Sequence, residues 1–290
     1  MLANRVRKNH RKLRGIFDKR DVGAFRVYDR DIPEIRAAID WYEGHLVVAE
    51  YAREQTAGKP WLETMARAAA DVLDVPWERV HLKRRLTGER YERLARSGRR
   101  IEVREGDLRF LVNLDDFIDT GLFADHRETR ALVRAEARGA EFLNLFGYTG
   151  SFTCAAAKGG AATTTTVDAS RPYLDWARDN LRLNRLEGEL VHSGVDEFLR
   201  RSAGRRWNLC VLDPPSFSDR GGVFDVQRDH RDLIDRTLEV LEPGGVLWFS
   251  TNHQRFQPRL EGLSFSEMTA KTVPIDYRNR TVHRSFRIRR

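Results

Sequence analysis

The chain's 290 residues are 41% apolar and 32% charged, which allows one large packed domain or two modest ones and excludes a disordered chain. Lysine and arginine outnumber aspartate and glutamate 51 to 43, for a net charge of +8 and an isoelectric point near 9.8, so the favoured kind of partner is a polyanion. Two cysteines exclude a disulfide framework and suit a reducing cytoplasm, the eight histidines show no paired metal spacing, and no apolar run is long enough for a bilayer span or a secretory signal.

Residues 1–22 predict a basic amphipathic helix. Val6, Leu13 and Ile16 recur near helical spacing, and Arg7, Lys8 and Arg11 belong to a cationic face on which Asp18 is the single acid. That face suits either nucleic-acid phosphates or plain solvent. Residues 23–115 predict a small α+β domain, with strand patterns at 24–28, 34–40 and 45–51 and a helix at 60–72 carrying Trp61, Met65 and Ala69 on one face. A strand from Val80 runs into the cations Lys83, Arg84 and Arg85, and a hairpin over 99–114 turns at Glu105-Gly106-Asp107.

Residues 116–290 open on Asp115 to Arg127, whose mixture of Gly121, acids and aromatics is unusual for a mere connector. Strand and helix then alternate: strands at 141–146, 163–168, 189–192, 207–212 and 245–250, helices at 151–158, 172–184, 195–202 and 226–241. Such alternation predicts an α/β fold, a parallel sheet with helices on both faces. The tail from Thr272 to Arg290 reads as two more strands joined at the basic turn 276–280, and Cys154 and Cys210 read as small buried apolar residues.

Two stretches carry chemistry. In Asn144-Leu-Phe146-Gly147-Tyr148-Thr149-Gly150, a buried strand ends in a glycine turn and feeds a helix whose first amides are free, a common seat for a ligand. Asp168 ends the next strand 18 residues after Gly150, close to the spacing at which an acid holds ribose hydroxyls, although it also suits a helix N-cap. Further on, Asp213-Pro214-Pro215-Ser-Phe217 follows a strand with a turn that two prolines hold open at the carboxyl edge of the sheet. A rigid turn with an aromatic beside it can grip a flat base by stacking and by backbone acceptors; a stiff surface turn is the plainer alternative.

Together with Phe224-Asp-Val-Gln227-Arg228-Asp-His, Asp119-Thr-Gly-Leu-Phe123-Ala-Asp125-His-Arg127 and Arg278-Asn-Arg280, these stretches resemble class I S-adenosylmethionine-dependent methyltransferases, and more narrowly the RlmK half of the fused bacterial 23S ribosomal RNA methyltransferases. The likeness covers almost the whole chain. The fused proteins also carry an amino-terminal half with a THUMP domain and a second methyltransferase, neither of which is found in these 290 residues.

The resemblance implies a Rossmann-like class I methyltransferase sheet beside a smaller N-terminal α+β domain, S-adenosylmethionine as cofactor, and methylation of guanine N7 in 23S ribosomal RNA or its precursor. By position in the motifs, Asn144, Phe146, Gly147, Tyr148, Thr149 and Gly150 would line the methionine end of the cofactor, with Asp168 and Ser170 at its ribose. Asp196 would accept from the adenine amine, unless it caps a helix, and the loop with Phe123, Asp125 and Arg127 would close the pocket. Asp213, Pro214, Pro215 and Phe217 would hold the purine. RNA contacts would fall on Arg7, Lys8, Arg11, Lys83, Arg84, Arg85, Gln227, Arg228, Asn252, Arg278 and Arg280.

Guanine N7 offers a lone pair and no proton, so its methylation needs alignment and not a general base. Methylation of cytosine C5 needs a cysteine nucleophile, which the strand Leu247 to Asn252 lacks. An exocyclic amine of guanine or adenine is the nearest rival target. A nicotinamide dehydrogenase would share the glycine turn without needing Asp213-Pro214-Pro215, and a noncatalytic assembly module would share only the basic surface.

Overall fold

The basic leading segment folds as α1 (Leu2–Asp18) because its apolar residues form one stripe: Leu2, Val6, Leu13 and Phe17 are buried while Arg7, Lys8 and Arg11 stay exposed. Phe17, not Ile16, completes the stripe. This is a computed structural model; it describes residues 1–51, 61–85, 95–202, 204–218 and 224–290. The chain divides into two compact units, residues 1–124 with 275–279, and residues 125–274 with 280–290.

In the first unit, α1 shares a core with an antiparallel meander of β1 (Ala24–Asp29), β2 (Ala37–Tyr42) and β3 (His45–Tyr51) and with α2 (Trp61–Leu73), after which β4 (Val80–Arg85) pairs parallel to β3. The second strand starts three residues later than its sequence pattern predicts. The Tyr28 hydroxyl accepts from Ile32 N at 3.1 Å and donates to the Ile35 carbonyl at 3.0 Å, which keeps 32–35 in a loop. Helix α2 buries Leu62, Ala66, Ala69 and Ala70 and leaves Trp61 and Met65 at the margin, a face turned by about one residue from the expected one.

On β4 the two-residue alternation runs against the expected polarity: His81 and Lys83 point inward and Leu82 and Arg84 outward. Lys83 is 1% exposed and its ammonium donates to the Phe117 carbonyl, so it is a buried strut and not an RNA contact. The hairpin of β5 (Ile101–Glu105) and β6 (Leu108–Val112) turns at Gly106, as expected.

The second unit runs α3 (Arg127–Glu136), β7 (Glu141–Leu145), α4 (Ser151–Lys158), β8 (Thr163–Asp168), α5 (Arg171–Leu183), β9 (Glu189–His192), α6 (Val195–Arg201), β10 (Trp207–Leu212), β11 (Phe217–Ser218), β12 (Phe224–Asp225), α7 (Val226–Glu239), β13 (Leu241–Thr251), β14 (Ser264–Glu267), α8 (Thr269–Thr272) and β15 (Arg284–Arg289). Its main sheet has the order β14-β15-β13-β10-β7-β8-β9; β9, β8, β7, β10 and β13 are parallel and β15 is antiparallel to both its neighbours. Both faces are covered. Phe142, Leu209, Val211 and Trp248 join α3 and α4 in one core, whereas Leu143, Leu145, Cys210 and Leu212 join α6 and α7 in the other. Cys154 and Cys210 are buried free thiols, as expected of small apolar residues.

The tail departs from its sequence pattern. Beside β13, the other antiparallel neighbour of β15 is β14, at 264–267, and not the residues just before the 276–280 turn: Pro274 lacks an amide donor and 275–279 packs into the first unit. There Asp276 accepts from Arg26 N at 2.9 Å, and the buried Asp29 accepts from Arg278 N at 3.0 Å and Asn279 N at 3.1 Å. Asp29→Ala leaves two amide donors without their acceptor and is expected to destabilise the protein by about 1–3 kcal/mol, read as a lower urea midpoint with an unchanged m-value.

Candidate active site

Strand register assembles the site. Leu145 of β7 pairs with Val167 of β8 and with Leu212 of β10, and Leu212 pairs in turn with Phe249 of β13. The residues that come next, Phe146, Asp168, Asp213 and Ser250, therefore stand side by side at the carboxyl edge of the sheet. They do so where the strand order reverses between β7 and β10, the position at which open α/β sheets bind ligands.

The turn after β7 is unusually tight: Phe146, Tyr148 and Gly150 all have left-handed backbone, with φ of 56°, 49° and 75°. A Cβ on Gly147 would lie 2.2 Å from Thr166 Cγ2, and one on Gly150 would lie 2.9 Å from Ala177 Cβ, so both positions require glycine. Asp168 is held by the backbone on both oxygens, from Tyr148 N at 2.9 Å and Ser170 N at 2.8 Å. The carboxylate thereby braces the turn from both sides.

Asn144 lies beneath the turn. It is 2% exposed and donates to Thr153 Oγ1 at 2.9 Å, and that hydroxyl contacts Thr166 Oγ1 at 2.6 Å. The Thr149 carbonyl accepts from Asn180 Nδ2 at 2.8 Å. The ring of Tyr148 sits edge-on to Tyr173 at 4.5 Å, and that of Phe146 lies 6.3 Å from Phe224.

Asp213 Oδ1 accepts from Ser250 Oγ at 2.6 Å, and Oδ2 lies 3.8 Å from His126 Nε2. Pro214 and Ser216 are buried, while Phe217 is 47% exposed on a two-stranded ribbon that pairs Phe217–Ser218 with Phe224–Asp225. Ser216 donates to Asn252 Oδ1, and Asp225 caps α7 by accepting from Gln227 N and Arg228 N. The proline corner is thus fastened at both ends and presents one aromatic face outward.

Behind Asp213, the buried His126 ring stacks on His283 at 4.2 Å with 15° between planes. Asp125, His126 and His283 place ligand atoms within 4.8 Å of one another, a juxtaposition that sequence spacing did not reveal. It is a poor metal site. Stacked parallel rings direct their in-plane lone pairs side by side, not to one point, and His283 already meets Asp125 at 3.3 Å and Thr272 Oγ1 at 3.0 Å. Burial, and then the neighbouring His283, pull His126 below the ordinary imidazole range and keep it neutral.

Other predicted residues fall elsewhere. Strand β9 ends at His192 and Gly194 caps α6, so Asp196 sits inside the first helical turn; its side chain is 69% exposed and bonded to Arg236 at 2.8 Å. It is therefore neither at the strand tip nor the cap. Phe123 belongs to the first unit, where it is 37% exposed, and Arg127 is buried with Nε 3.9 Å from Glu128. Gln227 clasps the backbone of Gln257 through both ends of its amide, and His230 is buried with Nε2 accepting from Arg259 N. Arg228 is bidentate to Asp229, and Arg84 faces Glu50 at 3.4 Å. The side chain of Arg85 lies outside the described residues. Arg278 and Arg280 donate to backbone carbonyls at 2.7 Å, of Asp31 and Pro274 respectively.

Sequence reasoning did not single out Ser250, His283 or Tyr173, and met His126 and Phe224 only as members of quoted motifs, without a role. For Ser250 a signal existed, since it closes the strand predicted next to Asp213. The histidine stack joins positions 157 apart and had none.

The family model for S-adenosylmethionine-dependent methyltransferases matches residues 24–280. The ribosomal RNA large subunit methyltransferase K/L of Allochromatium vinosum is 46% identical over 98% of this chain and 41% of its own length. The ribosomal RNA large subunit methyltransferase K of Neisseria meningitidis is 39% identical over 99% of this chain and 86% of its own length. The chain thus spans less than half of its K/L relatives and most of the K protein. Among solved structures, SMU.776 complexed with SAH superposes with a TM-score of 0.83 at 22% identity, over 100% of this chain and 81% of that one, a likeness of fold.

Burial also lowers the imidazoles of His10, His45, His81 and His230. Below pH ~6.5 the unfolded chain takes up protons that these folded sites refuse, so stability is full above that pH and is lost as it falls. His126→Asn removes one such proton, and the acid-side slope of unfolding free energy against pH should become shallower by up to ~1.4 kcal/mol per unit in urea titrations.

Proposed function

Because the chain belongs to the S-adenosylmethionine-dependent methyltransferases, with K-type ribosomal RNA methyltransferases among its relatives, we propose that it methylates guanine N7 in large-subunit ribosomal RNA. One observation supports this above the others. The glycine turn braced by Asp168 and the proline corner led by Asp213 follow neighbouring strands at the same carboxyl edge, so a cofactor held by the first would lie beside a purine held by the second.

S-adenosylmethionine, when bound, supplies a methyl group already activated on a sulfonium. The turn from Phe146 to Gly150 would receive its methionine end, and the Asp168 carboxylate, an acceptor on both oxygens, would take the ribose hydroxyls. Both fit the donor set on the protein: a carboxylate fixed by two amides, and a turn held close by two glycines. At the corner, Phe217 offers an exposed ring for stacking.

Guanine N7 needs no base, so Asp213 acts as a fixed anion. Ser250 holds one of its oxygens, and its charge offsets the positive charge that passes from sulfur to the purine. Neither cysteine can serve a nucleophilic route to cytosine C5, because burial pushes Cys154 up to about 12 and Cys210 well above its ordinary range. The exposed cations of α1 would meet RNA phosphates, and a ribosomal RNA substrate places the work in the cytoplasm.

Incubation with labelled cofactor and undermodified 23S ribosomal RNA should give 7-methylguanosine by nucleoside mass spectrometry. Label on guanine N2 or adenine N6 would overturn the N7 assignment and keep the enzyme class. Asp213→Ala should lower kcat by about 100-fold or more with cofactor affinity nearly unchanged. Asp168→Ala should instead weaken cofactor binding about 30–150-fold, as two lost hydrogen bonds of ~1–1.5 kcal/mol each require, measured by calorimetry.

A further inference from the structure

At the opposite end of the second unit's sheet, the amino ends of β7, β8, β9 and β10 open onto a groove of about 1370 Å³. It is lined by Arg178, Arg182, Arg185, Arg205 and Arg206. Three glutamates, Glu141, Glu187 and Glu189, share the lining, so cations prevail five to three. They are not all neutralised locally. Arg178 is paired with Asp175 at 2.5 Å and Arg205 with Glu189 at 3.2 Å, and Glu189 is further occupied by Thr165 Oγ1 at 2.9 Å.

Arg182, in the last turn of α5, and Arg185, two residues beyond the helix, are exposed and face no carboxylate within ion-pair distance among the described residues. Arg206 spends one nitrogen on the Arg205 carbonyl and none on a carboxylate. The planar Arg205 guanidinium lies 4.9 Å over the Trp207 ring, which holds it at the groove wall. The groove is thus a fixed cleft with uncompensated guanidinium groups, the arrangement that receives phosphates by paired N–H donors.

Strands of five and six residues, at about 3.3 Å per residue, put this groove roughly 15–20 Å from the carboxyl edge where Asp168 and Asp213 stand. We infer that the groove binds the sugar-phosphate backbone of the same RNA whose base enters the crevice, so that the substrate is a structured RNA wrapping the sheet from its carboxyl to its amino edge and not a short single-stranded segment. This rests on the reading of the chain as an RNA methyltransferase. RNA is favoured over an acidic protein surface because the groups without a carboxylate partner are guanidiniums, whose paired N–H donors match phosphate oxygens.

Arg182→Gln with Arg185→Gln tests it, since both side chains are exposed and belong to no part of the transfer site. Filter binding of a large-subunit RNA domain across salt concentrations should show the slope of log affinity against log salt reduced by about 1.5, two phosphate contacts at ~0.7–0.9 each. KM for that RNA should rise about 10-fold or more with kcat unchanged, KM for a short oligonucleotide containing the target should not move, and Arg182→Lys with Arg185→Lys should restore the slope. A slope and KM equal to those of the unaltered protein would overturn the inference, including in favour of a protein partner. Cofactor calorimetry on the variant confirms that the fold is intact. If the unaltered protein methylates no RNA, the functional reading fails, while the salt slope still decides whether the groove holds phosphate.

Discussion

Parallel pairing of β7 with β8 on one side and β10 on the other is the constraint on which the site depends. Side chains alternate along a strand, so a slip of one residue in either ladder would exchange the two cores and turn Asp168 or Asp213 away from the crevice. Phe142 packing to one face and Leu143 and Leu145 to the other make such a slip costly. The apolar interior and the polar edge are consequently set by the same register.

Polar braces at that edge share one design, in which each carboxylate is oriented by a donor from a neighbouring element. Asp168 is held by amides from the turn after β7 and from the start of α5, and Asp213 by the hydroxyl of Ser250 on β13. Asn144, Thr153 and Thr166 make a buried chain under the glycine turn that fixes its height above the sheet. Behind Asp213 the neutral His126, stacked on His283, fills the space without adding a charge of its own beside that carboxylate. Bracing of this kind restricts the carboxylates to one orientation, which suits a reaction governed by alignment.

The positive charge of the chain is less uniform than its total suggests. Much of it is committed inside the protein: Lys83 supports a loop, Arg278 and Arg280 tie down backbone carbonyls, and Arg228 is clasped by Asp229. Among the described residues, exposed cations on α1 and around the groove at the amino ends of the strands are available to a polyanion. Net charge thus identifies the kind of partner, and local pairing decides which cations can meet it.

By itself the sequence determined the alternation of strand and helix, the glycine turn, the acid after β8 and the proline corner, because each rests on a local backbone preference or a short repeat of apolar residues. The helical stripe of α1 and the hairpin at Gly106 are of that kind. Only the tertiary structure decided what long-range packing controls. It buried Lys83 by the phase of β4, moved Asp196 into a helical turn where Arg236 takes it, sent 275–279 to the first unit, and stacked His126 on His283. A charged side chain has no sequence signature for the partner that will neutralise it, since that partner is chosen by how strands and helices pack and not by its distance along the chain.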